Sequence, residues 1–271
     1  EVMYLQNSKS IMNKTGFTFV VILMFATVAV SQKELKPWKQ WNRKEAEKVL
    51  NDSAWSHSQT ETATPQSSDV TSNFGDTRGR EDAARTNATS PSVTLQVRFF
   101  TAKPIRQAYV RMLELADTPP DAANIEKMEA WANLAADDRI IVTLGYSGAQ
   151  SAAARVAGAL RRATIDDLKA NVFLERNDGK RVALAEYVAP GKDVFGARFT
   201  FPRTVDGQPF LSADSGSVRF HIDYAPAMQE ATTAAPQTNS RQSTPRPDAY
   251  KLRLDMKFKV TEMMYGGALE Y

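Results

Sequence analysis

The sequence predicts an α+β protein with an antiparallel, β-rich, sandwich-like core and two or three helices inserted in its N-terminal half. Three observations carry that expectation. Beyond about residue 170 apolar and polar residues alternate, the pattern of strands with one wet face. Turn signals such as Asn177-Asp178-Gly179 join those strands as hairpins. Helical periodicity is confined to the earlier segments, and no strand–helix rhythm of a doubly wound sheet follows it.

The elements follow in order. Asn42 and Glu45 are spaced as a capping box, with Trp41 placed to pack on Ala46, and Ala46, Val49 and Leu50 give the helix a narrow apolar face. Asn51-Asp52-Ser53 ends that helix. Val93, Leu95, Val97 and Phe99 alternate with polar neighbours and predict a strand. Pro104 suits the first turn of a second helix, whose stripe is Ile105, Ala108, Tyr109, Met112 and Leu115. Thr118-Pro119-Pro120-Asp121 is a turn. A third helix over about Ala122 to Leu134 buries Ile125, Met128 and Trp131. Arg139 to Leu144 reads as a short strand and Ser151 to Arg162 as an alanine-rich helix. Val172–Glu175, Arg181–Leu184, Phe195–Phe201, Val218–Tyr224 and Leu252–Val260 read as strands, and Gly266-Gly267 turns a last hairpin.

Composition divides the chain. Residues 1–31 hold upstream residues and a secretory leader: Lys14, an uncharged apolar run from Gly16 to Val30, and Ala29-Val30-Ser31 as a cleavage-like end. Met12 reads as the natural start and Glu1 to Ile11 as upstream translation. Cleavage after Ser31, weighed against retention of the run as a membrane anchor, leaves about 240 residues, enough for a sizeable core. Residues 32–58 form a basic, Trp-rich helical arm. Residues 59–91 read as a flexible linker too poor in apolar residues to fold. Residues 92–225 form the α+β core, 226–249 a Pro/Thr/Ser-rich flexible insertion, and 250–271 the strand and hairpin that complete the core. The expected location is the periplasm or the extracellular space. Once the leader is cleaved, no remaining apolar stretch is long enough for an integral membrane protein.

Several classes of chemistry drop out. No cysteine occurs, which removes disulfides, thiol catalysis and cysteine-ligated metals. Two histidines cannot build a histidine-rich metal site, and a net charge of +3 is too small to argue for nucleic acid. No cofactor motif is present.

Three constellations are candidates for function. Gly145-Tyr146-Ser147-Gly148-Ala149 lies between a strand and a helix, the setting of a hydrolase nucleophile elbow. Ser147 would then act with His221 as base and Asp193, Asp206 or Asp214 as its orienting acid. Ala149 replaces the usual last glycine, and the antiparallel C-terminal half does not suit that fold. Arg219, His221 and Asp223 share one strand face, which reads as a small polar site or a solvated surface. Trp38, Trp41 and Trp55 lie in the arm, where from Gln32 to Leu50 six basic residues outnumber three acidic ones. Such rings can bind an envelope protein or a glycan, or cap the chain's own core.

Four blocks carry a resemblance. Trp38-Lys39-Gln40-Trp41 with Glu45 to Ser53 and Trp55, then Phe99 to Ala108, Phe195 to Arg203, and Met263-Met264-Tyr265-Gly266-Gly267, are similar to blocks of uncharacterised secreted proteins of acidobacteria. The likeness runs over most of the mature chain. It implies an exported bacterial protein and carries no activity or site residue with it, and the Ser147 loop is not among the shared blocks. The function expected is a non-enzymatic envelope or extracellular interaction module. A serine esterase-like hydrolase and a glycan-binding module are the alternatives.

Overall fold

The computed structural model describes residues 36–62, 91–135, 137–192, 195–225 and 251–271. The leader, Asp193 and most of both polar tracts lie outside them.

The first helix, α1 (Arg43–Asn51), begins at the expected box. The Asn42 carboxamide oxygen accepts from the Glu45 amide, and the Glu45 carboxylate accepts from the Asn42 amide, both at 2.9 Å. α2 (Lys103–Glu114) opens with Pro104 in its first turn, and α3 (Ala122–Asn133) is capped by Asp121. α4 (Gln150–Arg162) and the single turn α5 (Ile165–Leu168) follow. Guanidinium groups close three C-terminal ends, where the last carbonyls lack intrahelical partners. Arg106 of α2 donates to the Trp131 and Leu134 carbonyls at 3.0 and 2.6 Å, and Arg43 of α1 donates to the Leu115 carbonyl. Arg98 donates to the Leu50 carbonyl at 2.7 Å.

In chain order the strands are β1 (Ser56–Thr62), β2 (Ser92–Phe99), β3 (Arg139–Gly148), β4 (Val172–Arg176), β5 (Arg181–Ala183), β6 (Glu186–Val188) and β7 (Ala197–Pro202). The hairpin β8 (Thr204–Val205) and β9 (Gln208–Pro209) precedes β10 (Ser217–Tyr224) and β11 (Leu252–Lys259), and β12 (Met264–Tyr265) pairs with β13 (Ala268–Leu269). One sheet runs β1-β2-β3-β7-β6 and the other β11-β10-β4-β5. Every pairing is antiparallel. The fold is therefore α+β and sheet-rich, and the five α-helices among the described residues all precede residue 169.

Side chains alternate across each strand, so register decides what the sheets enclose. Val97, Leu144 and Ala197 share one cross-strand row, and Phe99, Val142 and Phe199 the next. Phe220 aligns with Leu174 and Met256 in the second sheet. These inner faces meet through Phe199 and Phe220 at 5.4 Å between centroids and through Phe99 and Phe258 at 4.9 Å, edge to face.

Two boundaries differ from expectation. Gln59 to Thr62 belong to β1, so the supposed arm does not stand apart. Residues 36–271 form one compact unit. Thr62 pairs with Ser92 and Tyr224 with Leu252, so the described residues flanking each polar tract are paired in neighbouring strands. The expected short strand at Arg139–Leu144 continues through Gly148.

His57 of β1 packs its ring on Phe258 at 4.5 Å. Burial holds the imidazole below its ordinary range, against the opposing pull of Asp52 and Glu262. The folded state thus favours neutral His57. The unfolded chain takes up this proton near pH 6.5, before the folded one does. The stability contributed by His57 is complete above that pH and falls as the pH drops through it toward the folded value. Denaturant midpoints of the wild type and His57→Gln, compared between about pH 7.5 and 5.5, should show the wild type losing more. Parallel curves would exclude His57 as the cause.

Candidate functional site

Ser147 and His221 are not brought together. Ser147 lies within β3 opposite Thr94, and the strand runs on to Gly148, so the hydroxyl does not stand on a strand-to-helix turn. It points away from the core, opposite to the buried face of Val142 and Leu144. His221 is on the outward face of β10, in the other sheet. The shared apolar core separates them, and packed sheets stand about 10 Å apart. The acid beside His221 is Asp255, with Nδ1 and Oδ2 at 3.2 Å. Asp206 sits in the β8–β9 turn 3.3 Å from Lys180, and Asp214 in an exposed 3-10 turn, Ala213–Ser215. Asp193 lies outside the described residues. The alternative pairing of Ser147 with His221 therefore has its two residues on the outward faces of different sheets.

Arg219, His221 and Asp223 do share one face, as their spacing predicts. Their partners neutralise them. Asp255 receives Arg219 at 3.3 Å as well as His221, and Asp223 receives Lys251 at 3.1 Å and Arg253 at 3.4 Å. The bond from Lys251 holds the Asp223 carboxyl below the usual range. Phe173 is roofed by His221, stacked at 4.6 Å, and by the Arg181 guanidinium at 4.2 Å. This surface is a ladder of mutually satisfied surface charges, and such pairs contribute little to stability.

The arm tryptophans are also placed differently from a binding surface. Trp38, Trp41 and Trp55 are buried in the hydrophobic core. The Trp41 indole donates to the Lys36 carbonyl at 2.8 Å, and that of Trp55 to the Glu270 carbonyl at 2.8 Å. Core packing, the alternative weighed for these rings, accounts for them, because a buried ring offers no face to a partner.

The outer face of the five-stranded sheet is different. Arg98, Thr143 and Arg198 lie side by side on β2, β3 and β7, with Val188 of the edge strand β6 next in the row. The Arg98 Nε donates to Leu50, and Nη2 donates to the Asn51 carboxamide oxygen at 3.2 Å and to that of Gln96. All three acceptors are neutral. Burial alone pushes this guanidinium down to about 10. Thr143 is fully buried, and its hydroxyl has no hydrogen-bond partner. Gly145, two residues along β3, leaves room for the Arg98 head: a Cβ there would stand 3.3 Å from Nη1.

Half-buried rings continue this face. Phe195 packs edge to face on Phe100 and tilted against Tyr109, each at 4.5 Å between centroids, and Phe100 lies 5.6 Å from Trp131. The Arg198 guanidinium is 6.0 Å from the Phe195 centroid. The two large hydrophobic side chains that are exposed among the described residues flank the group: Leu134, just past Trp131, at 57% and Val188 at 48%. Sequence reading missed this group. Phe100 and Phe195 border strands as single aromatic residues, and only strand pairing aligns Arg98 with Thr143.

Among the described residues, no group of three or more His, Asp or Glu is placed to hold a metal ion, and no helix is long and apolar enough to cross a membrane. Compared with known proteins, the chain matches no family model, no curated protein and no solved structure.

Proposed function

We propose that this chain is an exported, non-enzymatic interaction module of the envelope or extracellular space, and that it binds through the outer face of the five-stranded sheet. The observation that carries the reading is the run of half-buried rings from Trp131 to Phe195 between exposed Leu134 and Val188. Exposed apolar side chains set beside rings and guanidinium groups mark recognition surfaces, where aromatic residues and arginine supply most of the affinity. The leader sequence and the likeness to secreted acidobacterial proteins support the compartment.

The test is retention on isolated envelopes. The wild-type mature chain should co-sediment with envelopes of its native cells. Leu134→Glu combined with Val188→Glu should release it while far-UV circular dichroism and melting temperature stay within error, because both side chains already face water. Equal retention of a folded double variant, or no retention of the wild type, would overturn the reading.

A further inference from the structure

β11 is the outermost strand of its sheet. β10 borders one side, and among the described residues no strand borders the other. The Val260 amide donates to the Gly216 carbonyl at 3.0 Å, on the β10 side. Main-chain groups of an antiparallel strand point alternately to its two sides, so Arg253, Asp255, Lys257 and Lys259 turn their N–H and C=O groups out of the free edge. A long open edge is a template for another strand unless something blocks it. The other edges are blocked. β1 turns His57, Gln59 and Glu61 toward the inner face, opposite Val97, Leu95 and Val93, and inward polar and charged groups oppose strand addition. β5 and β6 are only three residues each. β11 has no proline and no inward charge, because Leu252, Leu254, Met256 and Phe258 fill its buried row. Its outward row is incomplete. Arg253 meets Asp223 at 3.4 Å and Lys259 meets Glu262 at 2.9 Å, whereas exposed Lys257 has no carboxylate partner among the described residues.

We infer that β11 pairs antiparallel with β11 of a second copy of this chain, about a two-fold axis at Met256. In that register Asp255 of each copy faces Lys257 of the other on the outward side, so Lys257 gains the carboxylate it lacks. Asp255 with Lys257, and Arg253 with Lys259, exchange main-chain hydrogen bonds, which uses every group the edge presents. On the inward side Leu254 meets Phe258 and Met256 meets its own copy, apolar against apolar. Charge also rejects slipped registers. An axis at Asp255 sets that carboxylate against itself and Arg253 against Lys257, and an axis at Lys257 sets the lysine against itself. Each of these slips also shortens the ladder. The like charges of Arg253 and Lys259 meet only at the two ends, where Asp223 and Glu262 already compensate them. The contact is isologous, the form that closes as a dimer. It leaves the recognition face proposed above free: His57 on Phe258 puts β1 on the β11 side, and Val188 lies on β6, at the opposite edge of the five-stranded sheet.

Size-exclusion chromatography with light scattering, run on the mature chain over a dilution series, tests the pairing. The wild type should appear at twice the monomer mass and dissociate on dilution. Lys257→Glu turns two attractive cross-strand pairs into two repulsive ones and should weaken the dimer by about tenfold or more. Its melting temperature, measured where both proteins are monomeric, should hold, because Lys257 has no ion pair of its own to lose and the new carboxylate stands opposite Arg219. Asp255→Lys combined with Lys257→Glu restores complementary charges across the axis and should restore the dimer. A wild type that is monomeric at every concentration, a folded Lys257→Glu variant that dimerises as tightly as the wild type, or a folded double variant that stays monomeric would each overturn the pairing. A monomeric wild type whose envelope retention is lost in Lys257→Glu would give this edge to a strand of another protein, and self-pairing would fall. Retention through Leu134 and Val188 is read separately, so either conclusion can fail without the other.

Discussion

Gly196→Ala is expected to destabilise the protein by about 3–5 kcal/mol, the sum of a left-handed backbone penalty and a clash that cannot relax. Gly196 stands at φ +77°, just before β7, where Leu144 of β3 faces Ala197. A Cβ built there would lie 2.1 Å from the Leu144 carbonyl oxygen and 3.0 Å from the Gly145 Cα. Both obstacles are backbone atoms of β3, a central strand. No rotamer change can move them, so β3 and β7 would have to part and lose hydrogen bonds of their ladder. Gly179→Ala provides a comparison. That glycine also has positive φ, at +83°, yet nothing lies within 4 Å of its virtual Cβ. It should lose only the conformational part, about 1–2 kcal/mol. Urea unfolding of the two variants separates the contributions. A Gly196→Ala loss no larger than that of Gly179→Ala would mean that the two strands separate easily here.

Trp41→Ala is expected to cost about 3–5 kcal/mol, the range for emptying a buried aromatic site. The indole is 2% exposed. Its removal leaves a cavity and strips the Lys36 carbonyl of its donor. Arg111 of α2 donates to the Trp41 carbonyl at 2.8 Å, so the tryptophan sits at the seam of the first two helices. With total stability of a domain near 5–15 kcal/mol, the loss should appear as a clear fall in melting temperature and in urea midpoint. A free arm carrying Trp41 on its surface would behave differently: its loss would weaken retention on envelopes while leaving the melting temperature in place. The two measurements made on one variant therefore separate a core residue from a contact residue.

How much of this was readable beforehand depended on whether the signal was local. The α1 capping box lies within four residues, and both reciprocal bonds form. The alternation in β2, β10 and β11 is strong because one face of each is wholly apolar. β1 was not legible. Ser56–Thr62 has no large apolar residue, and its strand character comes from pairing along β2 and from His57 lying on Phe258. The far end of β3 was hidden by Gly145, Ser147 and Gly148, which read as a loop. The site was less legible still. Arg98 looks like any outward residue of a half-buried strand. Its relation to Thr143 is a matter of register across two strands that lie far apart in sequence, and spacing along one chain does not record it.

The anchoring of the two polar tracts bears on how this chain can change over time. Because Thr62 abuts Ser92 and Tyr224 abuts Leu252, the ends of each tract are already held at a fixed short separation by the ladders. The entropy of closing a chain segment between fixed ends grows only logarithmically with its length, about 0.6 kcal/mol for each doubling. Insertions and deletions there are nearly neutral, whereas a single residue gained within β2 or β10 would reverse every side chain beyond it. Related chains should therefore diverge in length at these two positions before anywhere else in residues 36–271, and an epitope or fluorescent reporter placed there should leave the sheets in register.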